Sequence, residues 1–392
     1  MLDSQCIKFF LGLQEKDHII REEVGKIFHI VVSSDTTEQF CPKCGCATKY
    51  IKGYYNQTVK AGYLSGIPIE VVLRKRRYIC KHCGKTFNEH YDFVAKHYHI
   101  AKNVFNNIIQ CLKSTTSMKS IATANNVSTN TVQRTLNLMP SSKLSHLPEV
   151  LSIDEFKGNA GGEKYLVQVS DAKEKKLLAI LPSRKKAYLS DYFASFPLEE
   201  RKKVKYLVID MWKDYASLRA FFPNIKIVID RFHYKRQVHW AIDRIRKRVQ
   251  KTLQKNGRIH FKRLRSLLHK SYDDLKIEER DLLLDMIDQN QELSDAWHLK
   301  EMLNDIMKMT DTETAIKRFK EWIKLVESLH ISDFDDCTKA YRRWFKGITE
   351  SFKVPYSNGF TEGKNNKIKV LKRNAYGFTN FDNFSKRILL VA

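Results

Sequence analysis

VKYLVIDMWKDYASLRAFFPNIKIVID, residues 204–230, decides how this chain is read. It holds two nearly continuous apolar runs of strand length, VKYLVID (204–210) and IKIVID (225–230), separated by the short helical stretch DYASLRAFFP. A strand that is apolar on both faces must be covered on both sides, which is the habit of parallel strands joined by a helical crossover. Each run ends on an aspartate, Asp210 and Asp230.

Upstream, LSID (151–154), KYLVQVSD (164–171) and KKLLAILP (175–182) are β-type runs separated by the polar stretches EFKGNAGGE and AKE, as expected of three consecutive antiparallel strands. A helix from Tyr188 to about Lys202 follows, with Pro197 ending or bending it. Three strands, helix, strand, helix, strand is the order of an RNase H-like domain. In that topology the first and fourth strands are neighbours, so Asp154 and Asp210, each ending its strand, meet at one edge of the sheet. Paired carboxylates can hold two divalent ions about 3.5–4 Å apart for phosphoryl transfer, and hard oxygen ligands select Mg²⁺ or Mn²⁺. The competing explanation for an aspartate at a strand end is turn formation. Asp230 is expected one strand farther out, behind the other two.

Downstream, residues 234–346 lose the strand pattern. Val238, Ile242, Ile245, Val249 and Leu253 recur at helical spacing, as do Ile316, Phe319, Trp322, Ile323 and Val326, so an all-helical insertion is expected. Trp240, Trp297, Trp322 and Trp344 are read as its core, and Arg244, Arg246, Lys247, Arg248 and Lys251 as a basic face able to follow a phosphate backbone. Beyond it, SNGFTEGKNNKIKVLKR (357–373) sets one acid, Glu362, among five cations. A helix starting near Thr361 puts Glu362 in its first turn with Asn366, Lys369 and Arg373 on the same face. Glu362 would supply the third carboxylate of a DDE triad, with Lys369 and Arg373 gripping the phosphates flanking the scissile bond; the competing explanation is an exposed helix whose Glu offsets its basic neighbours.

Toward the N-terminus, Cys41-Pro-Lys-Cys44-Gly45 and Cys80-Lys-His-Cys83-Gly84 are two matched knuckles. Two thiolates on a tight turn chelate one ion, and two such turns complete a closed tetrahedral zinc site with no open position for catalysis. YIKGYYNQTV and GIPIEVVLRKRRYI between them alternate as strands, giving a zinc ribbon, with Cys46, His82, His90, His97 and His99 as bystanders. Ser117 to Ala124 then reads as a short helix, Asn125 to Val127 as a turn and Ser128 as the cap of a second helix to about Leu138. That is helix-turn-helix spacing, with Ile121, Val127, Val132 and Leu136 inside and Asn130, Arg134 and Asn137 outside, where they can reach base edges. LMPSSKLSHLPEV (138–150) reads as a linker.

The chain of 392 residues carries 69 Lys plus Arg against 44 Asp plus Glu, a formal net charge of +25, which calls for a polyanionic partner. No run approaches the ~18 apolar residues that span a bilayer, and the first residues lack a basic segment ahead of an apolar core, so a cytoplasmic protein is expected.

CPKCG with CKHCG, then SIDEF, VIDMWKDY, IVIDRFHYKRQV and SNGFTEGKNNKIKVLKRNAYGFTNF, in that order and across essentially the whole chain, resemble the ISL-three family of bacterial insertion-sequence transposases. The resemblance implies an N-terminal region that recognises the inverted-repeat ends of an element and a DDE domain that cleaves and joins DNA, with its carboxylates at Asp154, Asp210 and Glu362. The expected organisation is a zinc-ribbon region (1–98, the ribbon about 38–90), a helix-turn-helix region (99–140), an RNase H-like domain in two parts (148–233 and 347–392) and the helical insertion between them. Expected cofactors are two catalytic Mg²⁺ or Mn²⁺ ions and one structural Zn²⁺. Expected partners are double-stranded DNA, as element ends and target, and a second copy of the chain. A non-catalytic DNA-binding regulator and a metal-dependent nuclease without end specificity are the alternatives.

Overall fold

The computed structural model describes residues 4–35, 38–139 and 144–392. They form two compact units, Met1–Ser141 with Lys367–Ala392, and Ser142–Asn366.

In the first unit, β1 (Asp17–Val24), β2 (Phe28–Ser34), β3 (Ile51–Leu64) and β4 (Ile67–Ile79) form a sheet in the order β1-β2-β4-β3, with β2 and β4 parallel. Alternate residues Phe28, Ile30 and Val32 of β2 and Ile69, Val71 and Leu73 of β4 fill its core. β3 and β4 join through Ser65 and Gly66, both at positive φ (49° and 82°), the requirement of a tight two-residue hairpin turn. Because this long hairpin returns on itself, Ile51 pairs with Tyr78 and the cysteine pairs at its two ends meet. The wide sequence gap between the knuckles is the length of that hairpin.

Three helices follow, α1 (Lys102–Leu112), α2 (Met118–Ala124) and α3 (Thr129–Leu138). Ser117 and Ser128 cap α2 and α3, accepting from the backbone N–H groups of Ser120 and Thr131. Asn126, at φ 53°, supplies the left-handed residue of the turn between them. Ile121, Ala122, Val132 and Leu136 close on Val104, Ile108 and Leu112 of α1 in a separate core. The linker read at 138–150 lies partly outside the described residues.

The second unit carries β5 (Val150–Ala160), β6 (Glu163–Asp171), β7 (Lys176–Leu181), β8 (Tyr206–Ile209) and β9 (Lys226–Ile229) in the order β7-β6-β5-β8-β9. β5, β6 and β7 pair antiparallel, and β5, β8 and β9 pair parallel. β5 is longer than expected, so Asp154 lies within it rather than at its end. EFKGNA is not a loop: it continues the hairpin with β6, burying Phe156, Gly158 and Ala160 while Lys157 and Asn159 face out. A half-buried strand tolerates polar residues on one face, which made this segment look like a connection. Pro197 breaks the following helix into Lys186–Ala194 and Leu198–Lys203.

Helices occupy the chain from α4 (Arg231–Thr252) to α5 (Asp335–Lys353), wider at both ends than the 234–346 expected. Val238, Ile242, Ile245 and Val249 are buried along α4, as are Phe319, Trp322, Ile323 and Val326 along Thr312–Ser328. α5 lies close on β9: a Cβ at Gly347 would stand 2.8 Å from Ile229 Cγ1. Trp297 and Trp322 are core, but Trp240 is 47% exposed with the Arg236 guanidinium over its ring. The basic face of α4 is largely committed within the helices. Arg246 is buried against Asp243, and Arg244 and Arg248 pair with Asp333.

α6 (Gly359–Asn374) is divided between the units after Asn366, and α7 (Phe381–Val391) belongs to the first. Residues 347–392, expected to complete the sheet domain, are thus shared between the two units. Phe384 and Ile388 of α7 are buried, and the Arg387 side chain donates to the carbonyls of Leu112, Ser114 and Thr116 at and beyond the end of α1. These contacts tie the tail to the helical cluster of the first unit.

Candidate active site and zinc centre

Parallel pairing sets three aspartates in one row. Tyr206, Leu207 and Val208 of β8 pair with Val150, Leu151 and Ser152, so continuing the register puts Asp210 opposite Asp154. Ile209 pairs with Ile229, which puts Asp230 opposite Asp210. Neighbouring strands are about 4.8 Å apart, so adjacent carboxylates in such a row feel one another. Burial, reinforced by the charges of Glu155 and Asp154, pushes the Asp210 carboxyl up to about 6, against the pull of its bond from the Trp212 N–H. Burial also raises Asp230, opposed by the backbone N–H of Asn358, which donates to Asp230 Oδ1 at 2.8 Å.

Asp154 is held from several sides. Its Oδ1 accepts from the Glu155 N–H at 2.8 Å, and its Oδ2 from Gln168 Nε2 at 3.2 Å, Thr361 Oγ1 at 3.1 Å and Asn365 Nδ2 at 3.5 Å. Thr361 and Asn365 are one turn apart on α6, so that face of the helix addresses Asp154. Asn358 fixes the start of α6: Ser152 Oγ donates to its side-chain oxygen at 2.6 Å, while its backbone is bound by Asp230. Glu362 is one position, about 100°, round the helix from Thr361. Glu362, Asn366, Lys369 and Arg373 are all exposed, so the face chosen from sequence is the solvent face. Among the described residues no group of three His, Cys, Asp or Glu side chains within 4.8 Å of one another includes Asp154 or Asp210. Sequence reasoning missed Gln168, Asn358, Thr361 and Asn365. The signal for the last two was their own i, i+4 spacing.

His233 lies near the same acids. Burial and the Arg236 charge lower it to about 4, so it is neutral at neutral pH. Arg236 approaches His233 Nδ1 at 3.0 Å, and since a guanidinium only donates, the ring proton sits on Nε2.

In the first unit, Cys41 and Cys83 Sγ are 3.5 Å apart, Cys44 and Cys80 Sγ 3.6 Å, and all four sulfurs lie within 4.8 Å of one another. Zn–S bonds of about 2.3 Å give tetrahedral edges of about 3.8 Å, so these residues fit a structural Zn²⁺. The two knuckles are built alike: Gly45 and Gly84 both have φ 71°, and their N–H groups donate to the carbonyls of Cys41 and Cys80. Cys46 and exposed His82 lie near Cys44 without displacing the four-sulfur set. On α3, Asn130, Arg134 and Asn137 are exposed. Asn137 also accepts from Gln133, and its carbonyl from Lys386 of α7.

A mixed α/β protein with a four-cysteine ribbon in one unit and a row of acids across a parallel sheet in the other has the build of a transposase. The chain belongs to the DDE transposases of the ISL-three type: that transposase family matches residues 151–388, and the zinc finger of the IS204/IS1001/IS1096/IS1165 transposases matches residues 37–83. It is 25% identical over 384 residues to the transposase for insertion sequence element IS1001 of Bordetella parapertussis, covering 94% of this chain and 92% of that protein. A Lactococcus lactis subsp. lactis protein named as an ATP-dependent protease is 46% identical over 52 residues, which is 13% of this chain and 17% of that protein. So short a match carries no activity across. Among the described residues no helix is long and apolar enough to cross a membrane.

Proposed function

We propose that this protein binds the inverted-repeat ends of its own insertion element and catalyses DNA strand cleavage and transfer by two-metal phosphoryl transfer. The observation that carries the reading is the in-register pair Asp154 and Asp210 on adjacent parallel strands, with the Asp210 carboxyl pushed up to about 6 by burial and by the charges of Glu155 and Asp154. Strand order 3-2-1-4-5, with the first three strands antiparallel, supports an RNase H-like domain, and residues 231–353 are its helical insertion.

Asp154 and Asp210 offer hard oxygen donors that fit Mg²⁺ or Mn²⁺, and two such ions would supply activation of the attacking oxygen and stabilisation of the leaving one. The chain's own part is orientation. Gln168, Thr361 and Asn365 fix Asp154, and the Trp212 N–H fixes Asp210. Glu362 is rooted one residue beyond Thr361 and completes the ligand set when its long side chain turns inward on the DNA-bound complex. Lys369 and Arg373 contact backbone phosphates, and Asn130, Arg134 and Asn137 of α3 read bases in the major groove, on a protein that acts as a homodimer in the cytoplasm.

The test is cleavage of a duplex carrying the element's end, taken from the DNA flanking the gene. Wild type should nick it only with Mg²⁺ or Mn²⁺, while Asp154→Asn, Asp210→Asn and Glu362→Gln bind it and leave it intact. Near-normal cleavage by Glu362→Gln would remove that residue from the triad.

A further inference from the structure

Three donors converge on one carboxylate oxygen of the second unit. Asp154 Oδ2 accepts from Gln168 Nε2, Thr361 Oγ1 and Asn365 Nδ2, and the two amides thereby leave their own oxygens stranded. Gln168 Oε1 and Asn365 Oδ1 are buried with no hydrogen-bond partner among the described residues. A buried acceptor without a donor is rare and unfavourable. A half-turn of a side-chain amide exchanges its nitrogen and oxygen in nearly the same space, so either end can face Asp154. Oxygen facing carboxylate oxygen is repulsive unless a cation joins them.

The three donors are not equivalent. The single hydroxyl proton of Thr361 is drawn to the Asn358 carbonyl, 2.6 Å away. Gln168 is fully buried on β6, opposite Asp154 in the ladder, whereas Asn365 is half-buried on α6 and open to an ion arriving with its waters. Its nitrogen is 3.5 Å from Asp154 Oδ2. Two oxygens on one octahedral cation, with bonds of about 2.1–2.4 Å, stand about 3.0–3.4 Å apart. Round the helix Asn365 is about 40° from Thr361 and about 60° from Glu362, so it lies between the side that meets Asp154 and the acid. A neutral oxygen also adds coordination without adding charge to a row in which Asp210 already feels Glu155 and Asp154.

We propose that Asn365 is a further metal-binding residue of this site, turning its amide oxygen onto the divalent ion held by Asp154. The inference rests on the two-metal reading and adds a ligand to Asp154, Asp210 and Glu362. In the metal-free protein the same amide, turned the other way, holds Asp154 in place.

The test is Mn²⁺ binding by the full-length, zinc-loaded protein, read from the EPR signal of the free ion, with Asp154→Asn marking which bound Mn²⁺ belongs to this site. Asn365→Leu, similar in size but without an oxygen, should weaken that binding about tenfold or more. Asn365→Asp, which keeps an oxygen and loses the N–H donor, should bind at least as tightly as wild type. A residue that only donates to Oδ2 competes with the ion, so its loss would leave Mn²⁺ binding unchanged or tighter; one that only positions Asp154 through its N–H is not replaced by aspartate. Asn365→Leu binding like wild type, or Asn365→Asp binding more weakly, overturns the ligand and leaves the transposase reading standing. If wild type binds no Asp154-dependent Mn²⁺, the ligand and the two-metal reading fall together.

Discussion

Replacing Asp210 by Asn should make the metal-free protein more stable, and only above a definable pH. An ordinary aspartate titrates near 3.9, whereas burial and the neighbouring carboxylates push Asp210 up to about 6. The folded state therefore holds a proton that the unfolded state has released, so stability falls as pH rises from about 4 to about 6 and stays low above. Two pH units correspond to about 3 kcal/mol. Partial solvent exposure of the side chain reduces this to roughly 1–2 kcal/mol. Asp210→Asn removes the ionisation but leaves an oxygen to accept from the Trp212 N–H. In urea titrations without divalent ions, the variant should exceed wild type by roughly 1–2 kcal/mol at pH 7.5 and match it at pH 4. Mg²⁺ should restore wild type at pH 7.5 and do little for the variant. Parallel pH profiles for the two proteins would refute the reasoning, because a destabilisation that does not follow ionisation cannot come from this charge.

Cys44→Ser breaks the Cys44–Cys80 edge of the sulfur tetrahedron and should take bound zinc from one ion per chain toward none by mass spectrometry, while the sheet unit, with its own core, stays folded. Arg134→Ala should weaken binding to element ends by about 1–3 kcal/mol and binding to random duplex far less; equal losses at fixed salt would make Arg134 a phosphate contact. Arg387→Met strands the carbonyls of Leu112, Ser114 and Thr116 without their donor and should lower stability by about 2–4 kcal/mol, read as an earlier urea transition and faster amide exchange in α1.

The sequence by itself determined the local chemistry of this protein. Cysteine pairs two residues apart, each with its glycine, define their knuckles wherever the chain carries them, because chelation geometry is set within five residues. Ser117 and Ser128 announce their helices because a cap bonds to N–H groups only three residues away. Continuous apolar runs in 204–230 mark buried parallel strands because both faces of such a strand must leave water. Only the tertiary structure decided what depends on distant partners. The extent of β5 past Asp154 is set by its pairing with β6, which a polar outer face conceals. The side of α6 turned to Asp154 is chosen by Asn358, bound to Ser152 and Asp230 more than a hundred residues away, so Thr361 and Asn365 rather than Glu362 meet the aspartate. The return of the tail to the first unit is fixed by Arg387 and by carbonyls more than two hundred residues upstream, a separation at which no spacing in the sequence carries a signal.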